Sequence, residues 1–530
     1  MRYATKLKFS LIVAITGLGI GVFISRWAYY PMVIGYSVLL LIIYFALKER
    51  ALVASTIFST GLAAVHSWVY LSTPSMIGND ADKVAVAVER IATSGSLDSI
   101  AQIFFYNVAS GFHILAAQTG LITGFDGRNA LVIYPILFGF LPVFGAVSIA
   151  RRLGDDGIVA GALAGVAGPL LAYSVQPVPQ LLTALLVIPI TGLLFLWTET
   201  WSRRSFVALV IPLVLMLFAH KTSMLVVTGI AVTTFGLVDN RRAAIRLVIL
   251  VSCGLVFQWL YLTSFLRSAV LVVIAPAIKG ATLETGGVVL RSTRPVLPGL
   301  VGGILKNADW IGLSVAGAAG WALLAKRNLK QRCNQKGILL AVGFVCGAFV
   351  FVSIFGPGIA VVRTSVVAAV PLCLLAGHLV EESPKSVAVA VLSLLVVAQV
   401  GVPPASPDHP SQNRQFLSSE ELIAKQTISE VTTEVYTDEQ YARELSSIET
   451  DRTYRTGRAE FASQRGWHVI GLPLYNGTVT SVEERIVVRD ITLYKKVGTR
   501  KILYDPQKRL ASDRSRTYSS GSVHLYVVNE

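Results

Sequence analysis

Apolar runs long enough to cross a bilayer recur from residue 9 to residue 403, broken by short polar stretches. Their lengths predict thirteen helical spans, at about 9–25, 30–47, 51–72, 129–149, 157–174, 179–198, 205–219, 222–238, 246–266, 309–325, 337–356, 358–380 and 386–403. Residues 105–124 form another apolar stretch, but counting it as a span would move Arg151 and Arg152 to the other side. We read it as an interfacial or re-entrant helix, with Asn107, Ser110, His113 and Gln118 on a wet face. The pattern changes after Pro403-Pro404 and Pro407, a linker signature. Ser418-Ser419-Glu420-Glu421 spells a capping box, so a helix is expected there. Thr437-Asp438 is expected to cap a second one, through Ile448. Beyond Gly466, strand-like runs cover Val469-Ile470, Arg485–Val488, Ile491–Tyr494, Ile502–Tyr504 and Val523–Val528.

The fold class expected is a polytopic α-helical membrane protein with a small C-terminal α+β domain. The transmembrane domain covers 1–403, with an outer loop at 73–128, and the terminal domain covers 404–530. Composition agrees: 53% of the 530 residues are hydrophobic and 15% charged, far from a soluble domain. Met1–Lys8 is basic and precedes an apolar run without a clear cleavage site, so we expect an uncleaved first span rather than a signal peptide.

The net charge of +15 does not indicate a nucleic-acid partner. Residues 404–530 hold 17 basic and 17 acidic side chains, and the excess lies among the spans. One side of the predicted membrane carries 18 basic and 7 acidic residues, the other 11 and 7. The richer side marks the cytoplasm. The expected localisation is therefore the plasma membrane, with the N-terminus cytoplasmic and the C-terminal domain extracytoplasmic. The four cysteines, at 253, 333, 346 and 373, form no CxxC pair and none is in the tail, which argues against a disulfide framework or zinc motif.

The outer side collects the unusual polar residues. Carboxylates beside a membrane core are costly unless they face water, a partner or a site. Asp80 and Asp82 in Gly78-Asn79-Asp80-Ala81-Asp82 could serve as general base toward a hydroxyl, or hold a divalent cation such as Mg or Mn. They could equally belong to a solvated loop, with Asp82 capping the helix that follows. His220-Lys221 interrupts the apolar run Ser205–Val238. The pair is either a hairpin tip or a cation site for a lipid phosphate. Arg363 lies just inside its span, placed to snorkel or to clamp phosphate with its guanidinium fork. His113 on its apolar helix either packs or lines the same site. Asn476-Gly477-Thr478 spells a glycosylation sequon, usable only outside the cell.

The order of these parts resembles the GT-C superfamily of membrane glycosyltransferases, and more narrowly its archaeal dolichyl-phosphate-mannose and oligosaccharyltransferase-like members. The resemblance rests on Gly78-x-Asp80, Val88-Glu89-Arg90-Ile91 to Gly95, and Tyr106 to Phe112-His113-Ile114-Leu115. It rests also on Pro177-Val178-Pro179-Gln180-Leu181, Ala219-His220-Lys221-Thr222 and Ser515–Gly521. Val84 stands where many relatives have His, and Asn107 where they often have Pro. The resemblance implies a polyprenyl-phosphate-linked sugar donor, a glycan or protein acceptor, and transfer on the outer face. It implies Asp80 as base, with Asp82 next, and His113, His220, Lys221 and Arg363 binding substrate. Two rivals are a lipid-linked-glycan flippase or other transporter and a non-catalytic scaffold. The first should show polar groups through the bilayer midplane and inverted repeats, and neither is evident in the sequence.

Overall fold

The structure is a computed structural model and describes residues 29–46, 51–78, 81–100, 110–263, 293–295, 304, 307–330, 333–355, 361–401, 416–443, 466–490, 496–497 and 500–528. The expected span at 9–25 lies outside these residues. Among the described residues, seven helices are long and apolar enough to cross a membrane: Ala51–Ser72, Asn129–Arg152, Gln180–Thr200, Arg241–Leu262, Ala308–Asn328, Asn334–Val352 and Thr364–Glu382. Val33–Ala46, Ser223–Leu237 and Lys385–Gln399 are shorter and also apolar.

Small residues set the helix spacing. A Cβ at Gly139 would stand 2.2 Å from the backbone nitrogen of Ala63, so the Ala51–Ser72 and Ile133–Arg152 helices touch backbone to backbone. The core is one continuous cluster, and Thr364–Glu382 is its most enclosed span. Faces that meet lipid keep large apolar side chains outward, such as Ile211, Leu215, Ile249 and Val256. That is stable only where the surrounding solvent is itself apolar.

The run expected as one span at 157–174 is two helices, Ile158–Val166 and Gly168–Tyr173. Ala167 between them is extended, with ψ 118°. Pro169 cannot donate back into the first helix, which separates them. The freed backbone is satisfied from elsewhere: Gly168 N–H donates to Gln399 Oε1 at 2.8 Å, and Gln399 Nε2 donates to the Asp309 carbonyl at 2.6 Å.

Ser110–Thr123 is a helix of 14 residues, too short for a hydrocarbon core. The wet face expected of it is corrected. Gln118 is exposed, whereas Ser110 and His113 are buried. The helix turns them inward because Phe112 stacks on Tyr134 at 4.0 Å, and the Tyr134 hydroxyl donates to the Phe112 carbonyl at 2.6 Å.

In the tail, Trp467–Val469, Val435–Thr437, Ile486–Arg489, Val523–Val528 and Arg514–Ser520 form a five-stranded sheet in that spatial order. The first three strands run parallel and the last two antiparallel. One face packs on Leu417, Ala424, Ile428 and Tyr441, the other on Leu474, Val479, Ile502 and Leu510. Ser418 closes the expected capping box with Glu421 and starts the Ser419–Val431 helix. Asp438 Oδ1 accepts from the N–H groups of Gln440 and Tyr441, each at 3.1 Å, and so heads the Glu439–Arg443 helix. Among the described residues, Phe416 packs on the bundle core and the tail is also fastened to the loops. Leu417 N–H donates to Ser75 Oγ at 2.6 Å. Thr293–Pro295, between two spans, pairs antiparallel with Arg500–Ile502 of the tail.

Candidate functional site

The end of the bundle that meets the tail is built around the loop after Ala51–Ser72. Arg128 fixes its start: Nη1 donates to the Pro74 carbonyl at 2.7 Å and Nη2 to that of Thr73 at 2.5 Å. The Tyr70 hydroxyl in turn donates to the Arg128 carbonyl at 2.7 Å. A guanidinium that satisfies two consecutive carbonyls holds a short loop in one register. The loop ends on Gly78, at φ +110°, where a Cβ would lie 2.3 Å from Gln176 Nε2. The glycine lets the loop press against the Gln176–Gln180 turn.

Asp80 follows directly and lies outside the described residues. Asp82 is half-buried in the first turn of the Ala81–Ser94 helix. It is therefore inside the helix, not its cap, and its charge suits the positive end of the helix dipole. Glu89 anchors that helix by accepting the Gly127 N–H at 2.6 Å.

Four residues beyond Gln176, Gln180 begins the Gln180–Thr200 helix, and its Nε2 lies 3.3 Å from His220 Nε2. His220 Nδ1 is 2.9 Å from Thr222 Oγ1. The Thr222 N–H also donates to Nδ1, at 3.4 Å, so the ring is held from both nitrogens. The Gln176–Gln180 turn thus touches the first loop on one side and His220 on the other.

His220-Lys221 sits at the tip between Arg203–Ala219 and Ser223–Leu237, with both side chains half-buried. The tip is held from behind by Gln258 and Trp259, which sequence reasoning missed. Gln258 Nε2 reaches the carbonyls of Met216, Leu217 and His220 at 3.2, 2.7 and 3.1 Å. Those are open acceptors at the end of a helix. Trp259 Nε1 donates to the Lys221 carbonyl at 2.9 Å. Both lie on a wide, π-type turn, Gln258–Leu262, a form associated with functional positions. The only sequence signal was an amide and an indole at the end of an apolar run.

His113 is fully buried on its short helix. That helix crosses the end of Arg203–Ala219 closely: a Cβ on Gly111 would meet the Phe218 carbonyl at 3.0 Å. Arg363 is the third residue of the Val361–Glu382 helix, and its side chain lies outside the described residues. The structure therefore brings together Gly78, Gln176, Gln180 and His220, with Asp82 and Lys221 on the adjoining turns.

Among the described residues, the His, Asp and Glu groups spaced for a metal ion are Asp155, His378 and Glu382. They stand at the opposite end of the bundle, beside Arg151 and Arg152.

No protein-family model matches the sequence, and no curated protein matches it. Solved structures do. The Archaeoglobus fulgidus oligosaccharyltransferase, tethered to an acceptor peptide containing the NVT sequon, matches with a TM-score of 0.53 at 12% identity, over 91% of this chain and 74% of that one. ArnT from Cupriavidus metallidurans bound to undecaprenyl phosphate has a TM-score of 0.48 at 11% identity, over 89% and 97%. The arabinofuranosyltransferase AftD from Mycobacteria has 0.44 at 15%, over 88% of this chain and 39% of its own. With its apolar helices and the first of these likenesses, the chain is a multi-pass membrane protein that shares its fold with the Archaeoglobus fulgidus oligosaccharyltransferase.

Proposed function

We propose that the chain transfers a sugar from a polyprenyl-phosphate-linked donor to an acceptor at the tail-bearing end of the bundle. One observation carries this reading: three places separate in sequence, Gly78, Gln176–Gln180 and His220–Lys221, meet at that end of a fold like that of the Archaeoglobus oligosaccharyltransferase. In this reading Lys221 and Arg363 hold the donor phosphate, the guanidinium by its fork and the ammonium as a point charge. Asp80 takes the proton of an acceptor hydroxyl or amide. The new bond forms at the anomeric carbon as the carbon–oxygen bond to phosphate breaks. The sugar inverts, and polyprenyl phosphate leaves with the electron pair. Asp82 supports the same charge pattern, the apolar helices receive the prenyl chain, and the tail (404–530) positions the acceptor.

The tail shares its end of the bundle with the first loop through the Leu417–Ser75 hydrogen bond, which supports an acceptor role for it. The Archaeoglobus oligosaccharyltransferase was solved with its acceptor peptide tethered, which makes a peptide acceptor one to try first. The charge bias of the loops supports an extracytoplasmic position for this end.

The test is incubation of the full chain, in lipid nanodiscs, with labelled polyprenyl-phosphate sugars and peptide or glycan acceptors. Label should pass to acceptor, and Asp80→Asn should abolish transfer while donor binding remains. Lys221→Ala should weaken donor binding. Unchanged transfer by Asp80→Asn removes the base assignment. Absence of both binding and transfer across the donor panel removes the enzyme reading.

A further inference from the structure

The end of the bundle opposite the first loop holds a polar cluster that the proposed reaction does not use. The loop Leu153–Gly157 folds back onto the end of the Val361–Glu382 helix. Glu381 accepts the N–H groups of Asp156 and Gly157 at 3.0 and 3.2 Å, which fixes Asp155 against the helix. Asp155 Oδ2 then lies 3.0 Å from His378 Nδ1. The His378 imidazole is only 5% exposed, and its Nε2 is buried without a hydrogen-bond partner. Glu382 follows His378 by four residues, so both occupy one helix face. One donor atom from each of Asp155, His378 and Glu382 lies within 4.8 Å of the others.

We propose that Asp155, His378 and Glu382 bind a divalent transition-metal ion of the zinc type. His378 turns Nδ1 toward Asp155, so an ion between them takes the place of that hydrogen bond. Ligand bonds of about 2.0–2.2 Å place neighbouring donors about 3–3.5 Å apart, which the Asp155–His378 pair already approaches. The exposed Glu382 side chain closes the remaining gap by rotation. Arg327 pairs with both Glu382 oxygens. A carboxylate has lone pairs for both neighbours, so Arg327 keeps one oxygen while the ion takes the other. An imidazole with two carboxylates selects zinc, cobalt or manganese over magnesium, which prefers oxygen and water. The ion would tie the 153–157 loop to the longest-buried helix, at the end remote from sugar transfer.

The experiment is titration of the tag-free, metal-stripped full chain with Zn²⁺ by calorimetry, and with Co²⁺ followed by visible absorption. One ion should bind, with a cobalt spectrum typical of nitrogen and oxygen ligands, and the melting temperature should rise with Zn²⁺. Glu382→Gln, a surface change, and His378→Gln should each weaken binding at least about tenfold and remove the thermal shift. His220→Gln and His524→Gln, at distant histidines, should leave it intact. No ion bound, binding unaltered by both Glu382→Gln and His378→Gln, or equal preference for Mg²⁺ overturns the proposal.

Discussion

The backbone N–H of Leu417 donates to the hydroxyl of Ser75 across 342 residues of sequence. Leu417 is buried at the head of the tail, and Ser75 is buried in the loop that leads to Asp80. One hydrogen bond therefore couples the placement of the tail to the loop carrying the proposed base. Removing its acceptor leaves a buried donor unsatisfied, at a cost of about 1 kcal/mol or somewhat more. Ser75→Ala should speed hydrogen exchange at the Leu417 amide by about fivefold. It should also lower transfer to acceptor more than binding of donor. If Leu417 exchanges as in the parent chain, the two parts are held elsewhere, with the Thr293–Pro295 to Arg500–Ile502 pairing the next candidate.

Gln258 is the second place where one side chain holds the site's backbone. Its amide nitrogen serves three carbonyls at the end of Arg203–Ala219 and the Ser223 hydroxyl at 3.1 Å. Gln258→Ala should destabilise by about 1–3 kcal/mol, because those acceptors are buried. Gln258→Glu should be worse, since a carboxylate facing carbonyls has no proton to give. Thermal unfolding of the solubilised protein ranks the two. A Glu variant as stable as the parent would mean that the Ser223 hydroxyl, which also donates to the Met216 and His220 carbonyls, suffices for them.

Most helices beyond residue 29 were legible, because an apolar run bounded by charge has few other solutions in a membrane. The Gln176–Gln180 turn and the His220-Lys221 tip also stood out, as proline and charge interrupting apolar text. The break at Ala167 did not, although Gly168-Pro169 spells one; the run stays apolar across it, and hydropathy alone cannot register a lost hydrogen bond. A cap at Asp82 stayed open as one of two readings, because its spacing from the apolar positions fits either register. Gln258 and Trp259 were invisible, since their role depends on a distant helix end. The strand Arg514–Ser520 was read only as a polar motif: it lies at the sheet edge, where alternation with a hydrophobic face is weakest. Asp80, and the side chain of Arg363, lie outside the described residues, so their roles rest on the sequence.

The tail encloses a charged network that should govern its stability. Arg489 is fully buried and donates to Asp438 at 2.8 and 2.9 Å and to Glu421 at 3.1 Å. Beside it the Lys425 ammonium lies 4.6 Å from the Trp467 ring centre and donates to the Tyr441 carbonyl. Two buried cations thus face two buried carboxylates. Arg489→Met strands the carboxylates and should cost about 3–5 kcal/mol. Arg489→Lys, which keeps the buried charge but loses the guanidinium fork to Asp438, should cost clearly less. Thermal unfolding with hydrogen exchange on 416–443 distinguishes the two variants. Equal loss in both would mean that shape, not charge pairing, dominates there.

Alkaline pH probes the same tail from its other face. Burial pushes the Tyr504 phenol up to about 12, with the nearby Arg509 acting in the opposite direction. Its hydroxyl donates to the Leu474 carbonyl at 2.5 Å, and the Arg509 guanidinium lies 5.0 Å from its ring centre. Below the ordinary tyrosine value, near pH 10, folded and unfolded chains both keep this proton, and stability does not depend on it. As pH rises from about 10 to about 12 the unfolded chain loses the proton first, so it binds fewer protons than the folded one and stability falls. The contribution present below pH 10 is lost by the time pH passes the folded value. Tyr441 is raised too, chiefly by burial, so it adds to the slope in the same direction. Tyr504→Phe should flatten the pH dependence of tail unfolding between 10 and 12. The phenolate absorbance difference between parent and variant should titrate near 12 while the tail is folded. A difference titrating near 10 would mean that Tyr504 meets water and that the Leu474 hydrogen bond does not persist in solution.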